Sequence, residues 1–282
     1  RHHTAHLRHD TYYIDYMGDK LKSLLRAIGA VFAWIWRGIR GLGRRYRNLY
    51  RGRRWWTKLI VFLLTLFLLL VFYVFAVMVN LFWLFGKSPS AYDIMHPHNA
   101  EASVMYSADG KVLGKFFDEN RQSVSYNEIN EVFFQALIST EDERFYSHKG
   151  IDIQGLGAAI KDAVGGHARG ASTISQQLVK NMFRIRTNTQ YGTGLLGKVP
   201  GLSIVIMKTK EMAIAVQLEL SNEKDSILTM YANTVDFGSN AFGIKTAAKT
   251  YFNKTPAELR VEEAAVLVGL LTATSTYNPR LN

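Results

Sequence analysis

Residues 141–152 bring Glu141, Asp142, Glu143, Arg144, Phe145, Tyr146 and His148 into one short run that passes through Gly150. A glutamate at the end of a buried helix, flanked by Phe145 and Tyr146, would be partly desolvated, which raises its pKa and fits it to accept a proton. Read alone, the run is better explained by a polar helix terminus with Glu143 and Arg144 solvated or salt-bridged. A second run, residues 170–181, reads Gly-Ala-Ser-Thr-Ile-Ser-Gln-Gln-Leu-Val-Lys-Asn. Gly170 permits a tight entry, Ser172 is the expected cap, and Thr173, Gln177 and Lys180 share one helix face. That stripe of hydroxyl, amide and ammonium suits an oxygen-rich ligand, or equally a solvated surface. In a third run, Lys208 and Glu211 form an i,i+3 pair that is most often a plain surface contact. The functional alternative sets a second carboxylate and a cation opposite the first. Two carboxylates at a sugar-transfer site divide the work, one handling the proton and the other the developing charge. Residues 231–238 and 247–252 read as structural: a buried helix, a glycine-rich connector and aromatic packing.

Helices must position these groups. Ile129, Val132, Phe133, Ala136, Leu137 and Thr140 recur at spacings of three and four, so a helix with one apolar face should deliver Glu141 at its end. Ser221-Asn222-Glu223 precedes another helix with Ile227, Leu228 and Tyr231 on one side. Thr255-Pro256-Ala257-Glu258 is a capping box with proline at the first helical position, leading into Val261, Ala264, Leu267, Val268 and Leu271. Asp109-Gly110 between Val104-Met105-Tyr106 and Val112-Leu113-Gly114 predicts a small β-hairpin. The fold class expected is therefore mostly α, with that hairpin near the start of the domain.

Charge locates the chain. Residues 1–58 hold 14 Lys or Arg against three Asp, which accounts for the whole net charge of +11. The following 27 residues, 59–85, contain no Asp, Glu, Lys, Arg or His. At ~1.5 Å per residue they more than cover a hydrocarbon core of about 30 Å, so a single transmembrane signal anchor is expected. The basic block before it and Trp55, Trp56 and Trp83 at its edges predict a cytoplasmic amino terminus and an external domain. The arginine cluster then faces anionic lipid rather than nucleic acid. Residues 86–99, with two prolines, read as a linker. Residues 100–282 read as the globular domain. Cysteine is absent, which is compatible with an oxidising compartment and decides nothing.

In sequence order, the runs resemble the signature motifs of the family-51 peptidoglycan glycosyltransferases, found in class A penicillin-binding proteins and monofunctional transglycosylases. That family's E-D-x-x-F-x-x-H-x-G is matched by Glu141, Asp142, Phe145, His148 and Gly150, and its G-[GA]-S-T-[IL]-[TS]-Q-Q-L-x-K-N by Gly170 to Asn181. Its fourth and fifth motifs are similar to residues 227–238 and 243–279. The resemblance implies a lysozyme-like, mostly helical glycosyltransferase domain. It implies Glu141 as general base toward the acceptor lipid II hydroxyl and Glu211 as the second catalytic carboxylate. Undecaprenyl pyrophosphate would leave with inversion. Thr173, Gln177, Lys180 and Lys208 would contact donor sugar or pyrophosphate, with Asp142, Gly170, Ser172 and Asn181 completing the substrate-binding set.

The implied setting is the outer face of the cytoplasmic (inner) membrane. The implied partners are lipid II, the growing glycan strand and other cell-wall synthesis proteins, with no nucleic acid. No tightly bound cofactor and no protein metal site are expected, though magnesium would assist at the pyrophosphate. Two departures stand out. The third motif reads Met207-Lys208 where the family has Arg-Lys, so a cation expected near the pyrophosphate is either missing or supplied by Lys210 or a residue such as Arg184. Residues 181–206, rich in Gly and apolar side chains, are longer than usual and predict a mobile flap at the bilayer surface. The resemblance also implies that the domain continues beyond residue 282, within a longer class A protein. Two alternatives remain beside glycan polymerisation: a lysozyme-like lytic hydrolase, and an inactive membrane scaffold marked by Met207.

Overall fold

A computed structural model describes residues 3–95, 103–109, 112–116, 122–166, 170–184, 191–274 and 276–279. The chain divides into two compact units, Arg1–Val71 and Phe72–Asn282. The first contains helix α1 (His3–Tyr50) and most of α2 (Trp55–Met78). Gly52, at φ 74°, turns the chain between them. Among the described residues α2 is the one helix long and apolar enough to cross a membrane.

The helix differs from the expected span of 59–85 at both ends, beginning at Trp55 and stopping at Met78. The cause of the stop is local. Asn80 adopts the left-handed conformation, and its side-chain Oδ1 accepts the Phe85 N–H at 3.1 Å, folding Leu81–Trp83 into a 3₁₀ turn.

The second unit therefore starts inside α2. There Ala76 and Val77 are buried with Phe85 and Ile206, and the Tyr73 hydroxyl lies 3.2 Å from Thr209 Oγ1. The expected linker contains a short helix, α3 (Ala91–Met95). Its Asp93 carboxylate accepts from Ser90 N and Oγ at 3.0 and 2.8 Å, and its Ile94 enters the main core. Residues 96–99 of that linker lie outside the described residues. Strands β1 (Ser103–Tyr106) and β2 (Val112–Phe116) pair antiparallel, with an irregularity between Met105 and Tyr106; Gly110 of the expected turn is not among the described residues.

The core is helical. Helix α4 (Glu131–Glu141) contributes Phe133, Phe134 and Leu137, and Asn130 caps it by accepting from Val132 N at 3.2 Å. Helix α5 (Ile153–Val164) is capped by Asp152, and α6 (Ile174–Phe183) buries Ile174, Leu178 and Val179. The cap of α6 is Thr173, not the expected Ser172: its hydroxyl accepts from Gln176 N at 3.2 Å. Helix α7 (Leu202–Ser221) places Ile214, Ala215 and Leu218 against α6, and α8 (Lys224–Thr234) adds Ile227, Leu228 and Tyr231.

Helix α9 (Ile244–Phe252) follows a Gly238–Gly243 connector. The capping box at Thr255 and Glu258 is present but starts only the 3₁₀ turn Pro256–Glu258. Leu259 is extended and buried, which ends that turn, and α10 (Val261–Thr272) begins afresh with Glu263 accepting from Arg260 N at 2.9 Å.

The second half of the expected flap is also corrected. Leu202, Ile204, Val205 and Ile206 form the first turns of α7, while 185–190 lie outside the described residues. The segment before α7 is held by Leu196 N donating to Leu84 O at 2.9 Å.

Gly150 shows how tightly loop and helix meet. Its φ is 84°, and a Cβ there would sit 2.7 Å from the Ala215 carbonyl of α7. Gly150→Ala combines a left-handed non-glycine residue with an overpacked contact, so it should destabilise the domain by about 2–4 kcal/mol in denaturant titration.

Candidate active site

Glu141 ends α4 partly buried, and the α6 side chain of Gln177 holds it there. Gln177 Nε2 donates to Glu141 Oε2 at 2.7 Å, and Gln177 Oε1 accepts the Tyr231 hydroxyl at 3.0 Å. Burial, reinforced by the charge of Glu141, pushes the Tyr231 hydroxyl's pKa up, so it remains a donor. That donor fixes the amide's orientation, and the amide in turn fixes one carboxylate oxygen.

The facing wall comes from α7. Glu211 is 1% exposed, and Lys208 Nζ bridges it at 3.2 Å to Ser172 Oγ at 2.7 Å. A cavity of about 410 Å³ is lined by Glu141, Ser172, Gln177, Lys180 and Glu211, with Gly170, Gln176 and the end of α10 at Leu271 and Thr272. Both carboxylates predicted from the sequence thus line one cavity, together with Lys180 and Ser172.

A second cavity of about 270 Å³ adjoins Glu141 on the side of Arg144 and Asp152. Arg144 pairs with Asp152, its Nε donating at 3.0 Å, and the guanidinium holds the Asp152 carboxyl below its ordinary pKa. The cavities share Thr140, Glu141, Gly170 and Ser172. Glu141 therefore addresses two compartments.

Two expected contact residues, Asp142 and Thr173, line the second cavity but are also tied into the scaffold. Asp142 is buried, accepting from His148 Nε2 at 3.0 Å and from Ile174 N at 2.9 Å, which ties the first motif to the start of α6. The Thr173 hydroxyl donates to Gly150 O at 2.9 Å while capping α6. Asn181 is partly buried and does not line either cavity.

Lys210 does not replace the missing arginine. Its ammonium is buried on the carbonyls of Gly86, Lys87 and Gly192 at 3.0, 2.7 and 2.9 Å, and burial pulls its pKa down to about 8. Met207 packs against the main core. Arg184 occupies the left-handed end of α6, with an exposed side chain.

Sequence reasoning did not find Gln176, whose Nε2 donates to Gly150 O at 3.0 Å, or the support from Tyr231. Gln176 lies three residues after Thr173 and four before Lys180, so it borders the same stripe, and that periodicity was the signal that could have found it. It also did not find Lys224. That side chain reaches from α8 to Glu219 Oε2 at 2.7 Å, to His148 O at 2.9 Å and over the Phe145 ring at 4.1 Å, clamping the loop that carries the first motif. Among the described residues no group of three or more His, Cys, Asp or Glu is arranged to hold a metal ion.

Comparison with known proteins gives the chain's family. The family described as Transglycosylase matches residues 109–282. The chain is 35% identical over 234 residues to penicillin-binding protein 1F of Bacillus subtilis (strain 168), a match covering 82% of this chain and 30% of that protein. It is 36% identical over 200 residues to penicillin-binding protein 1A of Neisseria gonorrhoeae, covering 70% of this chain and 23% of that one. The chain therefore spans about a quarter to a third of the length of these relatives.

Proposed function

The chain belongs to the family-51 transglycosylases, and from that premise we propose that it is a peptidoglycan glycosyltransferase polymerising lipid II into glycan strands with release of undecaprenyl pyrophosphate. The observation that carries this reading is the shared cavity of Glu141 and Glu211, with Lys180 and Lys208 beside it. In this reading Glu141 removes the proton from the acceptor sugar hydroxyl. The freed oxygen attacks the anomeric carbon of the donor from the face opposite the pyrophosphate, the carbon–oxygen bond to the pyrophosphate breaks, and configuration inverts.

The leaving group carries away the bonding electron pair as negative charge on phosphate oxygens. Ammonium groups of Lys180 and Lys208 are suited to receive it as compact point charges. Glu211, already bridged to Lys208, orients that ammonium. A magnesium ion, if used, would be carried on the pyrophosphate, since the described residues offer no metal cluster.

An anchor helix supports the same reading, because a substrate with a polyprenyl tail stays in the bilayer. In this reading the amino terminus is cytoplasmic and the domain lies outside the cytoplasmic membrane. Exposed Leu195, Ile204 and Val205, at 60%, 67% and 51%, would meet the lipid surface near the site. Incubating the purified chain in detergent or vesicles with fluorescent lipid II should give long glycan strands on a gel. Soluble fragments released from sacculi, without polymer, would instead establish a lytic hydrolase. Binding of lipid II with no coupling, and turnover only after Met207→Arg, would instead mark a scaffold.

A further inference from the structure

Helix α1 has no part in the chemistry above, yet between residues 36 and 49 its large apolar side chains and most of its arginines, Arg45 excepted, take separate faces. At about 100° per residue, Trp36, Ile39, Leu42, Tyr46 and Leu49 fall within one arc of roughly 140°. Arg37, Arg40, Arg44 and Arg47 fall within a separate arc of about 80°. The apolar members are exposed, Ile39 at 55% and Leu42 at 71%, so among the described residues of their own unit nothing covers them. Arg40 lies 5.1 Å over the Trp36 ring at the border between the arcs, as expected where an amphipathic surface changes character.

We propose that α1 lies in the plane of an anionic lipid surface, on the side of the membrane from which α2 starts at Trp55. Its apolar arc enters the acyl boundary and its arginines engage phosphate headgroups. Three observations select lipid over a protein groove. The arc is continuous in sequence with the membrane-crossing helix, separated only by residues 51–54. Three of those four residues, Arg51, Arg53 and Arg54, extend the positive charge to the membrane edge. The arc contains Trp36 and Tyr46, types that favour the interface between lipid and water. The inference is independent of the catalytic reading: a chain that polymerised nothing would still carry this surface.

The absence of native cysteine makes the test direct. Single cysteines from position 36 to 49 in the whole chain, labelled with a fluorophore, are reconstituted in phosphatidylglycerol vesicles or phosphatidylcholine vesicles, each doped with brominated lipid. In anionic vesicles quenching should oscillate with a period near 3.6 residues, strongest at 39, 42 and 46. The contrast with positions 37, 40 and 44 should be about threefold or more. Exchanging Arg37, Arg40, Arg44 and Arg47 for Gln should flatten the pattern while the helical circular-dichroism signal persists. Uniform quenching would overturn the proposal. The same pattern in phosphatidylcholine would overturn the part played by lipid charge. A pattern that appears only at high protein-to-lipid ratio would mark pairing with a second copy, and would equally overturn it.

Discussion

Glu141→Gln should lower lipid II polymerisation by about 10²–10⁴-fold, the usual contribution of a positioned general base, while leaving thermal unfolding near that of the parent. The substitution is nearly isosteric and keeps a hydrogen-bonding partner for Gln177, which now meets Glu141 Oε2 at 2.7 Å. What it removes is the capacity to accept a proton at the end of α4. The loss should fall on turnover rather than on substrate binding, because Lys180, Lys208 and Ser172 are untouched. Gel analysis of fluorescent glycan, with binding of lipid II measured separately, checks both halves. A rate within a few-fold of the parent would mean that another group is the base. Glu211 would be the first alternative, because it is the other carboxylate lining the same cavity.

The sequence made Glu141 legible for a physical reason: apolar residues at three-and-four spacing specify the face of α4, and the face specifies where its last residue emerges. The same logic located the buried face of α8. Features set by one residue's conformation or by distant partners were harder. Asn80 ends α2 inside an apolar run, where hydropathy carries no sign of a left-handed residue. Ser172 and Thr173 are equally good caps by type, and only the path of the chain over Gly150 selects Thr173. Lys210 looked like a substitute phosphate ligand. Its three carbonyl partners come from segments 18 and more than 120 residues away, which no local pattern reveals. The capping box at Thr255 was read correctly as a box and incorrectly as the start of α10, because burial of Leu259 interrupts the turn.

Lys224 tests how far the catalytic loop depends on a contact of that hidden kind. Its ammonium faces Glu219, 4% exposed, whose other oxygen accepts the buried Ser175 hydroxyl at 2.5 Å. It also donates to the His148 carbonyl inside the first motif, 76 residues earlier. Lys224→Met preserves the stem and its packing on Phe145 but removes the charge, leaving the Glu219 carboxylate buried with a single hydroxyl partner. Breaking a buried pair in this way typically costs about 3–5 kcal/mol, since the remaining ion keeps its desolvation penalty without its counterion. Urea denaturation of the detergent-solubilised chain should show that loss as a lower midpoint with an unchanged slope.

A double variant separates the two causes. Lys224→Met with Glu219→Gln removes the stranded charge, so it should recover much of the stability while leaving the loop at 145–148 without its clamp. If stability returns and polymerisation does not, Lys224 serves the site by holding the first motif against α8. If both return together, the pair is a matter of stability alone, and the loop that leads from Glu141 is held by Asp142 on His148 and Ile174 without further help.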